Sequence, residues 1–233
     1  MHTGDGGKPD YWRMYGERTV EVRRPSQWHD PGIFRKEKFE IRAFDREVMD
    51  HLNDHNAIYR DGALGGGQGL MRNNTDPFQR LLAGSSQGTV DAEAIIANLA
   101  RDKNGNIVET LKVISHSMGG AYAKGYIYAI LQYARENGIK GVRVDFNADF
   151  APFQPDNQVT VDQTSVGGIS MGDTFQYSHS KDKVAGNKAI KGAIQMDTSN
   201  DDNQGHSIFS FFDQISTLPA GKYKVVDGRI IPE

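Results

Sequence analysis

Between Thr89 and Ile215 helix-like and strand-like patterns alternate, and this alternation predicts an α/β domain with a mostly parallel central sheet and helices on both faces. Length agrees, since 233 residues is a size that single α/β domains commonly reach. Composition agrees as well: 37% hydrophobic and 24% charged residues with 26 glycines describe a packed core joined by many tight turns. The chain is read as one domain over residues 1–233, with its clearest signal in 89–215 and its weakest in 1–88.

In chain order, "TVEVRR" (Thr19–Arg24) and "KFEIRAF" (Lys38–Phe44) alternate like strands. "DREVMDHLNDH" (Asp45–His55) reads as a short helix capped by Asp45, and the glycine-laden stretch from Asn56 to Asn74 reads largely as loop. "TVDAEAIIANLARDKNG" puts Val90, Ala94, Ile95 and Leu99 at helical spacing, with Thr89 as cap and Gly105 as stop. Strand "ETLKVIS" (Glu109–Ser115), helix "MGGAYAKGYIYAILQYARENG" (Met118–Gly138) and strand "GVRVDFNADF" (Gly141–Phe150) follow. "QVTVDQTS" (Gln158–Ser165) suits an edge strand or hairpin, and "DTFQYSHS" (Asp173–Ser180) a strand. "NKAIKGAIQM" (Asn187–Met196) fits a short helix or a strand, and "HSIFSFFDQI" (His206–Ile215) a helix. "KYKVVDGRII" closes the chain as a β-hairpin around Asp227-Gly228.

Net charge is −3, which gives no reason to expect a polyanion partner, nucleic acid included. The one basic cluster, Arg23–Lys38, is broken by Pro, Trp and Asp and reads as a solvated face. With no cysteine, the chain can have no disulfide scaffold, thiolate zinc site or cysteine nucleophile. The first residues, "MHTGDGGKPDYW", do not read as a signal peptide, and no apolar run approaches the roughly 20 residues of a membrane span. Contact with a membrane surface stays open.

The chemically informative stretch is "LKVISHSMGG". Ser117 falls where a β-branched strand gives way to a long helix, between small residues on both sides: Ser115, Gly119 and Gly120. A nucleophile elbow needs this crowding. The turn lifts the serine hydroxyl above the sheet and aims the next backbone N–H, here that of Met118, at a developing oxyanion. The usual pattern is Gly-x-Ser-x-Gly, and Ser115 stands where the first glycine would be. His116, adjacent to Ser117, is poorly placed to act as its base and is expected to pack or hydrogen-bond beneath the elbow.

On these residues, "VISHSMGGAYAKGYIYAIL" resembles the elbow of α/β-hydrolase-fold lipases, and the likeness extends over roughly Thr89–Ile215. It implies an α/β-hydrolase-like fold and a triad in the order Ser, Asp, His. The implied acid is Asp182, in a lipase-like Asp-x-Val arrangement whose Val184 tucks back, with Lys181 and Lys183 favouring the ionised carboxylate. Asp149, at the end of the previous strand, is the alternative acid, and Asp145 ranks third. The implied base is His206. His2, His29, His51 and His55 precede the elbow, His116 adjoins it, and His179 lies within a strand.

A second oxyanion donor is expected from "GALGGGQG", with Gly66 and Gly67 as the candidates beside Met118. "DTSNDDNQG" (Asp197–Gly205) resembles half of a calcium loop but lacks the glycine and terminal glutamate of one, so no metal is assigned. No cofactor is implied.

The resemblance implies a serine esterase or lipase acting on small-molecule or lipid esters. Two alternatives stand beside it: a non-catalytic interaction domain of the same fold, and a membrane-targeting phospholipase toxin module. For the second, "DFAPFQPDNQ" (Asp149–Gln158) resembles the lipase-like ends of Rhs-type polymorphic secreted proteins.

Overall fold

A computed structural model of the chain describes residues 18–22, 38–62, 77–155, 158, 172–185, 188–199, 205–220, 223–226 and 229–232. Its elements in order are β1 (Arg18–Val22), β2 (Lys38–Arg42), α1 (Phe44–Leu52), α2 (Pro77–Asn98), β3 (Leu111–His116) and α3 (Gly119–Glu136). There follow β4 (Val144–Phe150), β5 (Asp173–Tyr177), β6 (Ile194–Met196), two 3-10 helices (Ile208–Ser210 and Asp213–Thr217), β7 (Tyr223–Val226) and β8 (Arg229–Pro232).

Strands β3, β4, β5 and β6 pair in sequential order as a four-stranded sheet that is parallel throughout. Among the described residues, two antiparallel pairs, β1 with β2 and β7 with β8, make up the remaining strands. The architecture is therefore α/β. His116, Phe150, Tyr177 and Met196 are successive register partners, so all four strands of the sheet end in one row. The segments leaving that carboxyl edge thus start side by side, the usual place for a site in an open parallel sheet.

Apolar side chains from the strands serve two separate cores. Ile95 and Ile96 of α2, with Leu99 just past its end, meet Ile127, Ile130 and Leu131 of α3 over Val142 and Val144. Phe44, Val48 and Leu52 of α1 pack instead with Phe146, Phe150, Tyr177, Ile208, Phe211 and Phe212. A bulge divides the two sets on β4: Leu111 pairs with Val144 and Lys112 with Phe146, leaving Asp145 unpaired in the ladder and bonded by the Thr110 hydroxyl at 2.5 Å. Phe150 stacks on Tyr177 with centroids 4.4 Å apart, and each such buried side chain contributes about 2 kcal/mol.

Helix α2 departs most from expectation. It begins at Pro77 rather than at Thr89, whose hydroxyl bonds back to the Ser85 carbonyl within the helix. Ala92, Ile95 and Ile96 form its buried stripe, which Leu99 continues just past its end, while Val90 is 76% exposed. The glycines of "GSSQG" are required by close helix packing. A Cβ on Gly84 would stand 2.0 Å from the Tyr122 carbonyl oxygen, and one on Gly88 would stand 2.3 Å from that of Tyr126. Gly125 meets the Leu81 carbonyl from the α3 side in the same way.

Asp45 is not a cap. Ala43 holds that position without a side-chain bond, and Asp45 sits in the first turn, accepting from the Arg46 N–H and the Tyr59 hydroxyl. Residues 206–215 form short 3-10 turns rather than one helix, and among the described residues of 187–196 only Ile194–Met196 forms a strand. Gln158 apart, the "QVTVDQTS" segment lies outside the described residues, as do the Asp227-Gly228 turn and nearly all of the basic cluster. Among the described residues no helix is long and apolar enough to cross a membrane.

Candidate active site

Ser117 leaves β3 with φ of 55°, the left-handed region that a non-glycine residue enters only when its surroundings fix it there. Its N–H bonds the Phe150 carbonyl at 3.0 Å, and its own carbonyl accepts from Phe153 N at 3.0 Å and Gly120 N at 3.3 Å. Helix α3 begins two residues later, placing the partial positive charge of its amino end beside Ser117. Strain continues on the neighbouring strand exit, where Ala151 and Gln154 also have positive φ, 43° and 52°.

His206 Nε2 lies 2.8 Å from Ser117 Oγ, and His206 Nδ1 lies 2.8 Å from Asp182 Oδ2. Serine, acid and histidine arrive from three different loops, after β3, β5 and β6. Asp182 Oδ1 accepts from the backbone N–H groups of Val184 at 2.8 Å and Ala185 at 3.0 Å. Both carboxylate oxygens are thus occupied while the side chain is wholly buried. Val184 does not tuck back: it is 43% exposed, and its backbone rather than its side chain serves the acid.

Burial alone would push the Asp182 carboxyl up, but the His206 bond and the Ala185 and Val184 N–H groups outweigh it and hold the group below its ordinary value. Lys181 and Lys183 are not among the causes. As pH falls, the unfolded chain therefore takes up this proton first. The stability that Asp182 contributes is whole above about pH 4 and is lost as pH drops through the folded value. Asp182→Asn is expected to show a shallower loss of stability on the acid side, measured by urea unfolding across a pH series.

Asp149 is committed elsewhere. Its Oδ2 pairs with Lys124 Nζ at 2.6 Å and its Oδ1 accepts from the Ser115 hydroxyl at 2.5 Å. Lys124 also donates to Gln158 Oε1 at 3.2 Å and to the Gly120 carbonyl at 3.3 Å, and Gln158 Nε2 donates to the Phe153 carbonyl. This buried cluster ties the end of β3, the first turns of α3, the end of β4 and the loop beyond it into one unit under the elbow. It also explains Ser115 in place of glycine: the hydroxyl is an internal ligand of Asp149. A Cβ on Gly120 would sit 3.1 Å from Gln158 Oε1, a tight fit that would press on the cluster. Asp149 is therefore not placed to orient His206, and neither is Asp145 in its bulge.

At the head of α3, the Met118 N–H has no acceptor among the described residues. Gly66 and Gly67 lie outside the described residues. Among the described residues no cluster of His, Asp and Glu is able to hold a metal ion.

A further expectation is overturned. The elbow does not raise Ser117 into open space: the residue is 0% exposed, and only the His206 side chain, at 15%, reaches solvent. A cavity of about 240 Å³ runs along β3 between α1 and α3 and touches Ser115 and Gly119, but Ser117 is not on its wall.

Lys124 and Ser115 were missed as partners of Asp149. The available signal was a lysine among the apolar residues of "YAKGYIYAIL", which marks a buried cation with a carboxylate to find. An alcohol, an imidazole and a buried carboxylate joined in this order can move a proton from Oγ to Nε2 while the carboxylate steadies the resulting cation. No protein-family model, no curated protein and no solved structure matches the chain.

Proposed function

We propose that the chain is a serine hydrolase of carboxylic esters with an α/β-hydrolase-like core. The observation that carries this reading is the unbroken relay of two 2.8 Å bonds from Ser117 through His206 to Asp182, set on a left-handed elbow at the head of a helix. In the mechanism, Ser117 Oγ attacks the ester carbonyl carbon and its proton passes to His206 Nε2, while Asp182 accepts the Nδ1–H bond and stabilises the imidazolium. The Met118 N–H and the amino end of α3 stabilise the tetrahedral oxyanion, with Gly66 and Gly67 as candidates for the second donor. Collapse breaks the bond to the alcohol, which leaves with the proton from His206. Water, deprotonated by His206, then attacks the acyl-serine and releases the acid.

Lipid esters are favoured over other acyl donors by the likeness of "SHSMGG" to lipase elbows, an analogy of motif. The enclosure of Ser117 favours one second reading, a non-catalytic domain that keeps the fold. Under the first reading, substrate reaches Ser117 only through a movement that opens this enclosure.

A p-nitrophenyl ester series from acetate to laurate, run beside fluorophosphonate labelling of the folded protein, separates the two. Saturable release of p-nitrophenol with one label per chain at Ser117 is the expected result. Absence of both, in protein shown to be folded, would leave the non-catalytic domain as the better reading.

A further inference from the structure

Residues 205–210 carry the imidazole yet have almost no regular structure of their own. Their backbone bonding is a single 3-10 turn, with Ser210 N bonded to the Ser207 carbonyl at 3.0 Å and Phe211 N to that of Ile208 at 3.1 Å. Side chains also hold the carbonyls of Gly205, His206, Ser207 and Ser210. The Ser210 hydroxyl lies 2.6 Å from the Ser207 carbonyl oxygen and 3.1 Å from that of Gly205. His116 Nε2 lies 2.7 Å from the carbonyl oxygen of His206 itself, and His179 Nε2 lies 3.1 Å from that of Ser210.

We infer that His116 and His179 are positioning residues, two buried imidazoles that grip the backbone of the loop bearing His206 and so keep its ring in line between Ser117 and Asp182. The kinetic side of this inference rests on the serine-hydrolase reading above; the geometric side does not. A carbonyl only accepts, so each ring carries its proton on Nε2, which fixes the tautomer. Neither ring is free to wander. His116 is 2% exposed with its centroid 5.1 Å from that of His206, and His179 is 0% exposed and stacked at 4.0 Å on Phe211.

The two grips come from different strands. His116 is the last residue of β3, next to Ser117, and His179 lies two residues beyond β5, three before Asp182. The backbone turns that place the nucleophile and the acid therefore also hold the base, and the three groups share one frame. His206 must satisfy a donor and an acceptor on opposite ring nitrogens at once, which tolerates a displacement of only about 0.5 Å. A loop with one short turn does not supply that rigidity alone.

The test compares His116→Leu, which removes the N–H donor, with His116→Gln, whose amide N–H extends about as far as the imidazole's. The readouts are ester kinetics, fluorophosphonate labelling rate, and the downfield proton resonance of His206 Nδ1–H. The leucine variant is expected to lose roughly 10- to 100-fold in kcat and labelling rate, with KM little changed and the resonance lost to exchange. The glutamine variant is expected to recover most of the rate and to keep the resonance. Should His116→Leu fail to fold, His116→Asn, polar but too short to reach the His206 carbonyl, takes its place.

The inference is overturned if the leucine variant keeps wild-type rate and resonance, or if glutamine is as impaired as leucine. If wild-type protein neither turns over esters nor takes the label, the hydrolase reading fails on its own. The resonance comparison still decides whether His116 positions His206.

Discussion

Ser117→Ala is expected to reduce ester turnover about 10⁶-fold and to abolish fluorophosphonate labelling, with little change in KM. Loss of the attacking oxygen removes the acyl-enzyme route altogether. What survives is the smaller acceleration from binding and oxyanion donors. Ser117→Gly should be equally inactive but should unfold at a higher temperature than the alanine variant. Both lack the hydroxyl and its bond to His206, so the comparison isolates the backbone at φ 55°, where glycine is at ease and alanine is not. That difference is about 1 kcal/mol, or roughly 2–4 °C in Tm for a chain of this size. Equal melting of the two would mean that the elbow stores no strain.

Asp149 and Asp182 are expected to fail in opposite ways when each is cut to alanine. Asp149→Ala leaves the Lys124 ammonium, 3% exposed, with its charge uncompensated, a loss of about 3–5 kcal/mol. The chain should unfold at much lower urea, and its activity should follow the folded fraction. Asp182→Ala should instead lower kcat about 10⁴-fold by releasing the tautomer and orientation of His206. Its stability cost is smaller, because the groups left behind are two backbone N–H donors and an imidazole near solvent. The companion variant Asp149→Leu with Lys124→Leu should regain much of the lost stability, since removing both charges leaves neither unpaired. Were Asp149→Ala inactive at unchanged stability while Asp182→Ala stayed active, the acid would have been misassigned.

The sheet was legible because β3 carries apolar Leu111, Val113 and Ile114, while β4 and β5 alternate apolar residues with polar ones, a period of two that only a strand repeats. Ser117 was legible from the small residues around it, a local property, whereas Asp182 and His206 came from the chain order that the lipase resemblance implies; the three side chains meet in the structure. Helix α2 was half missed for a physical reason: "GSSQG" has poor helix propensity in isolation and is retained for its fit against α3, a tertiary demand invisible along the chain. The 206–215 segment looked helical because Ile208, Phe211, Phe212 and Ile215 have helical spacing. The loop's carbonyls are held by Ser210, His116 and His179 instead, and the turn stays tight. Asp149 looked available as an acid only because its cation lies 25 residues away in sequence, on the buried face of α3.

Under the hydrolase reading, the enclosure of Ser117 gives its reactivity a clock. An atom with no contact with solvent reacts only during excursions that uncover it, so its observed modification rate is intrinsic reactivity multiplied by the fraction of time spent uncovered, as for a protected amide proton. The latency of this hydroxyl towards a small phosphonate therefore measures the opening equilibrium of the fold around it, in the absence of any substrate.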